Sequence, residues 1–202
     1  MDRLLQGYRR FRAEVWPTAG AHYEALADDG QRPETLLISC SDSRVDPQAV
    51  FGAKPGEMFV VRNVAGLVPP YQPDVGCHGT SAAIEYGVRV LGVSHIVVLG
   101  HAQCGGVRAV VEGAPPEARD FVEPWMAIAK PILRRPSNPD RRPNLVDHYE
   151  SEMLRLSLAN LATFPWINEA VEAKRLQLHG FHFDIRTGAM SVLEGDEWVP
   201  VP

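Results

Sequence analysis

The sequence predicts an α/β fold: a central, mainly parallel sheet of four strands with an antiparallel strand at its C-terminal edge, helices on both faces, and an N-terminal helical arm. Three observations carry this. Short apolar runs at 35–39 (TLLIS), 58–64 (MFVVRNV) and 95–100 (HIVVLG) lack clean alternation, as strands covered on both faces do. A helical pattern at 79–91 (GTSAAIEYGVRVL) stands between the second and third runs, giving the strand, helix, strand order of parallel crossover units. Near the end, LQLHGFHFDIRTGAMSVLE alternates around Arg186-Thr187-Gly188, as a strand and hairpin at a sheet edge would.

The elements follow in order. Residues 1–27 place Leu4, Leu5, Tyr8, Phe11 and Val15 at helical spacing with arginines between them, which predicts an amphipathic arm packed on the body or on a second subunit. In the helix at 79–91, Thr80 or Ser81 is the candidate cap. CGGVRAVVEG opens a short helix after the third strand. Pro115, Pro116, Pro124, Pro131, Pro136, Pro139 and Pro143 then break 113–143 into short pieces and turns. A long amphipathic helix over 144–162 and another over 166–175 lead into the C-terminal strands.

The 202 residues, 45% of them apolar, suffice for one core, and we read one domain, 1–202, with 1–27 as its arm. A net charge of −5 with scattered arginines leaves no basic footprint for nucleic acid or an anionic membrane. No run reaches the roughly 20 apolar residues of a membrane-spanning helix, and the start has charges where a signal peptide would be apolar. The expectation is a cytoplasmic protein acting on a small molecule. Three cysteines, Cys40, Cys77 and Cys104, are too few and uneven for a disulfide framework and suit thiols kept for chemistry or metal.

Two polar clusters follow two of the buried strands: CSDSR, Cys40 to Arg44, and HAQC, His101 to Cys104. The carboxyl ends of parallel strands are where open sheets bind ligands, so the clusters can converge there. Cys40, His101 and Cys104 then form a Cys₂His set that suits zinc, and three protein ligands with an open fourth position is the catalytic pattern. Asp42 is the rival fourth ligand. Arg44, two residues on, would keep the Asp42 carboxylate ionised and oriented through a bidentate pair. Two thiolates would cancel the zinc charge, so a bound water should be less acidic than on an all-histidine site, and activity should rise toward alkaline pH. Cys77-His78 reads instead as a small buried thiol ahead of a helix. His22, His95, His148, His179 and His182 have no partner motif and read as ordinary surface or core residues.

At these residues the sequence resembles a β-class carbonic anhydrase. CSDSR at 40–44, FVVRNVAG at 59–66 and GTSAAIEYGVRVLGVSHIVVLGHAQCGG at 79–106 carry the resemblance, which runs in order and spacing from about Gln31 to Gly106. It implies zinc on Cys40, His101 and Cys104, with Asp42 and Arg44 as a catalytic dyad. It further implies a plant-like pocket in which Gln31, Phe59, Val64, Tyr86 and Gly105 bind substrate, with Phe59, Val64 and Tyr86 standing where the family draws on the adjoining subunit. The resemblance therefore implies a homodimer with the site at its interface, in some members assembled into tetramers or octamers. A second family group builds a regulatory bicarbonate site on a tryptophan three residues before the first cysteine. That position is Leu37 here, which argues against the site, although Arg62 matches another of its positions.

The function so implied is reversible hydration of carbon dioxide to bicarbonate by zinc-bound hydroxide. Hydrolysis of carbonyl sulfide or carbon disulfide on the same fold stays open at this level, because the same attack serves all three. A non-catalytic zinc or thiol-sensing protein is the reading from another class. Asp42 and Arg44 argue against it, since a purely structural site needs neither.

Overall fold

The computed structural model describes residues 1–134 and 145–202. Its centre is a six-stranded sheet: β1 (Thr35–Cys40), β2 (Met58–Asn63), β3 (His95–His101), β4 (Gln177–Phe183), β5 (Met190–Glu194) and β6 (Glu197–Pro200), in the order β2-β1-β3-β4-β5-β6. The first four strands in that order are parallel, and β5 and β6 run antiparallel. The expected antiparallel edge is thus present but holds two strands. The short Glu197–Pro200 segment pairs its Trp198 with Leu193 across a tight turn at Gly195, a hairpin too brief to leave a periodic signal.

The missing alternation in β1 has a direct cause. Leu36 and Ile38 face one core with Ile96, Val98, Leu154 and Leu161. Leu37 faces the other with Val45, Val97 and Leu99. Each fully buried aliphatic side chain contributes about 1.5–3 kcal/mol of transfer free energy, so both faces favour the same register. The Leu145–Leu161 helix covers the first face and agrees with the reading of 144–162.

The N-terminal segment is helical over Asp2–Arg10, Phe11–Val15 and Trp16–Asp29, with a wider π-type turn in the middle stretch. Pro17 explains that turn. It has no N–H for the carbonyl four residues earlier, and local widening relieves the resulting clash. Leu4, Leu5, Tyr8 and Val15 lie exposed along the helix.

The helix over Gly79–Glu85, continuing through Tyr86–Leu91, begins after His78 with no side-chain cap. The expected capping by Thr80 or Ser81 does not occur. Thr80 Oγ1 instead accepts a hydrogen bond from Asn63 Nδ2 at 3.2 Å, tying this helix to the end of β2. Proline-broken pieces appear at Pro116–Ala118, Val122–Ala127 and Lys130–Arg134, and the predicted second helix covers Pro165–Glu172. Pro136, Pro139 and Pro143 lie outside the described residues.

Candidate metal centre

Pairing of β1 with β3 sets Ser39 against Leu99, so the chain leaving β1 at Cys40 and the chain leaving β3 at His101 emerge side by side. Cys40, His101 and Cys104 are all buried there, with their donor atoms within 4.8 Å of one another. The Cys40 and Cys104 sulfurs stand 3.9 Å apart. Two sulfurs on a tetrahedral zinc with bonds of roughly 2.3 Å would be about 3.8 Å apart.

The histidine supplies an independent test of fit. His101 Nδ1 donates to the Ala102 carbonyl at 2.9 Å, which leaves the lone pair on Nε2. That Nε2 is buried and has no hydrogen-bond partner among the described residues. Burying a polar atom without a partner is costly, and a metal ion would satisfy it. The residues present therefore fit a zinc ion.

The turn carrying His101 and Cys104 is tightly specified. Ala102 N–H donates to Phe183 O on β4 at 2.9 Å, and Gln103 takes a left-handed φ of 59°. The Gln103 side-chain oxygen accepts from the Arg186 guanidinium, which secures the turn to the β4–β5 hairpin. Gly105–Glu112 forms the helix that follows. Its second residue must be glycine, because a Cβ on Gly106 would come within 2.7 Å of the Ala65 Cβ.

Asp42 and Arg44 meet in a two-pronged pair. Arg44 Nε donates to Asp42 Oδ1 at 2.9 Å and Nη2 to Oδ2 at 2.7 Å, while the Arg44 backbone N–H adds a third bond to Oδ1 at 2.9 Å. Arg44 Nη2 also reaches Gln103 O at 3.0 Å, so the pair bridges both polar segments. Asp42 Oδ2 lies 3.9 Å from His101 Nε2: beside the donor cluster, yet engaged by arginine.

The electrostatics match the geometry. Hydrogen bonds from the Arg44 side chain hold the Asp42 carboxyl well below the usual carboxylate range, with burial opposing. Of the two buried thiols, Cys40 ionises first. The Cys104 thiol donates to it, and His101 and a backbone amide add to that pull against burial. The same contact with Cys40, together with burial, pushes Cys104 up.

One residue that the sequence reading left without a role proves central to the first segment. Arg62 on β2 donates to three carbonyls of that loop: Nε to Cys40 O at 3.1 Å, and Nη2 to Asp42 O at 2.8 Å and to Val45 O at 2.7 Å. A charged residue inside the apolar run FVVRNV was the available signal, since such a side chain needs buried acceptors. Leu37, at the position where the second family group carries tryptophan, is core-packed.

The candidate substrate residues divide into two groups. Gly105 opens the helix after Cys104, and Val64, expected with Phe59 and Tyr86 from the adjoining subunit, instead parts from them: it directly follows β2 beside Gly106, exposed in an apolar groove of about 620 Å³ shared with Pro69, Pro70, Phe121 and Trp125. Gln31, Phe59 and Tyr86 lie elsewhere. Phe59 pairs with Leu36 near the amino ends of the strands, roughly 13 Å along β1 from Cys40, and Tyr86 packs on Phe59 with ring centroids 5.9 Å apart. Gln31 sits between Gly30 and Arg32, which line a groove with Thr35 and Pro55 at that same amino end. Within one chain these three do not join the donor cluster. Cys77, expected to be buried, is exposed, because its segment runs over the surface with Asp74 bonded to His78.

Comparison with known proteins decides the family. The family profile described as carbonic anhydrase matches residues 35–190, which include every residue of the donor cluster and the Asp42–Arg44 pair. This chain belongs to the β-class carbonic anhydrases. A carbonic anhydrase of Pseudomonas aeruginosa is 37% identical over 205 residues, covering 96% of this chain and 88% of that protein. Beta carbonic anhydrase 3 of Arabidopsis thaliana is 33% identical over 203 residues, covering 97% and 78%. Among solved structures, the β-carbonic anhydrase CcaA superposes with a TM-score of 0.90 at 29% identity, covering 100% of this chain and 92% of that one. A tetrameric β-carbonic anhydrase of Sordaria macrospora gives 0.80 at 29% identity, covering 95% of each. The chain is thus a family enzyme, and among the described residues no helix is long and apolar enough to cross a membrane.

Proposed function

We propose that this chain catalyses the reversible hydration of carbon dioxide to bicarbonate and a proton, with one zinc ion held by Cys40, His101 and Cys104. When bound, zinc supplies the Lewis acidity that makes water nucleophilic near neutral pH. The observation that carries the reading is the Asp42–Arg44 pair beside a three-donor cluster, since both Asp42 oxygens are engaged by arginine rather than added to the donor set.

Each residue then has a task. Asp42, ionised over the whole working range, accepts a hydrogen bond from the attacking oxygen and turns its lone pair toward the carbon. Arg44 keeps Asp42 from closing on the metal. The two thiolates offset the charge of the ion, which moves the rise in activity to the alkaline side. Val64 supplies apolar surface for the linear substrate, and the Gly105 amide is available to orient an oxygen. Gln31, Phe59 and Tyr86 complete the pocket from a second copy in a homodimer, a reading supported by their position at the opposite end of the sheet. Three free cysteines suit a reducing compartment, the cytoplasm.

Stopped-flow hydration of carbon dioxide by the zinc-loaded protein, from mildly acid to alkaline pH, tests the proposal, with carbonyl sulfide run beside it. Fast hydration that rises with pH is expected. Slow hydration with brisk carbonyl sulfide turnover would sink it.

A further inference from the structure

Behind the donor cluster lies a carboxylate that the proposed mechanism does not use. Glu150, on the Leu145–Leu161 helix, is the only buried acidic residue among those described, with a side chain 2% exposed. Among the described residues its side chain meets a backbone amide and a histidine. Its Oε1 accepts the backbone N–H of Cys104 at 3.1 Å, and its Oε2 faces His182 Nε2 at 3.4 Å.

The choice of partner is informative. The same helix presents other polar groups on its buried side, and they too address backbone: Ser157 Oγ accepts from Val68 N–H at 3.2 Å, and Asn160 Nδ2 donates to Val68 O at 2.8 Å. Those two contacts use neutral groups, which is the cheaper way to satisfy a buried amide or carbonyl. At Cys104 the helix uses a carboxylate instead. Its length lets an oxygen reach across to the amide of the residue that follows Gln103, whose φ is a left-handed 59°.

We infer that Glu150 is a positioning residue for the metal centre: through the Cys104 amide it fixes where the Cys104 sulfur stands, with His182 orienting its second oxygen. The inference rests on the reading of Cys104 as a zinc ligand. Outer partners of this kind typically account for about 10–100-fold in metal affinity or activity.

The test is release of zinc from the loaded full-length protein to a chromophoric chelator, with absorption of the cobalt-substituted form recorded alongside. Glu150→Ala is expected to release zinc about 10–100-fold faster and to alter the thiolate-to-cobalt bands. Glu150→Gln, which keeps an oxygen for the Cys104 amide, should stay near the native rate. Glu150→Asp keeps the charge but withdraws it by one methylene, and should also release faster, which preserves the test should the alanine variant fail to fold. Leu158→Ala, a packing deletion on the same helix beside Gly180, should lower the melting temperature without changing release. Native release by both the alanine and aspartate variants would overturn the inference, as would equally fast release from Leu158→Ala. Failure of the native chain to hold zinc would refute the ligand reading instead, and the two failures are distinguishable.

Discussion

The segment after β1 and the turn after β3 bring donors to the same point, yet a cation secures the first through its carbonyls and a carboxylate secures the second through an amide. Arg62 gathers the carbonyls of Cys40, Asp42 and Val45, on a loop whose Arg44 side chain is 48% exposed. Glu150 takes the Cys104 amide in a turn whose two donors, His101 and Cys104, are buried. The difference teaches a division of labour. In the proposed mechanism the first loop presents an ionised Asp42 to substrate while staying rigid, which suits a loop whose backbone Arg62 clamps from behind. The second need only hold two donors, so it can be buried. Apart from Cys40 itself, changes in the first should therefore alter rate with metal retained, and changes in the second should alter metal retention.

The largest expected effect tests the second half of that contrast. His101→Ala should remove a donor and leave the two sulfurs with too few partners for tight binding, so zinc content by elemental analysis should fall well below one per chain and hydration should vanish with it. A variant that kept full zinc would break the assignment. Asp42→Asn comes next and tests the first half. The amide keeps the shape but loses the charge that Arg44 holds, and turnover should drop roughly 10²–10³-fold with zinc content unchanged. Loss of zinc in this variant would erase the distinction between the loops.

Arg62→Gln is a finer probe. It removes a guanidinium that serves three carbonyls, and hydrogen bonds from charged groups contribute about 1.5–3 kcal/mol each when intact. We expect roughly tenfold lower kcat with zinc retained, because the loop then samples positions where Asp42 is misaimed. A fall in zinc content with kcat per bound zinc unchanged would assign Arg62 to metal retention and blur the comparison.

Much of this division was legible from the residues themselves. CSDSR and HAQC each follow an apolar run, and parallel pairing brings such ends together, so the donor set and the Asp42–Arg44 pair could be read from the sequence. What stayed hidden depends on contacts distant in sequence. Arg62 was visible as a charge in an apolar strand, but its three carbonyls lie on another strand's loop. Glu150 sits in a helix whose pattern looks merely amphipathic, and only packing reveals that its carboxylate faces inward. Cys77 was misread because a small thiol beside a helix start resembles core, whereas the Asp74–His78 contact holds that segment on the surface. The second antiparallel strand was missed because four residues ending in proline carry little periodic signal.

The smallest effect separates the site from the amino end of the sheet, where His179 on β4 meets His95 on β3 with their ring nitrogens 3.1 Å apart. Burial, and then the charge of His95, holds the His179 imidazole below its ordinary value of 6.5. The folded chain therefore binds fewer protons than the unfolded chain once the pH falls below about 6.5, so stability should decline from there until the lower folded value is passed. The ring is only partly buried, and solvent screening keeps the effect modest. His179→Gln should flatten the fall in melting temperature between about pH 7 and pH 5 while leaving hydration at alkaline pH untouched. If the native and variant melting curves instead run parallel across that window, the acid sensitivity arises elsewhere. If hydration at alkaline pH also changes, the two ends of the sheet are coupled and the first loop is not the only place where rate is set.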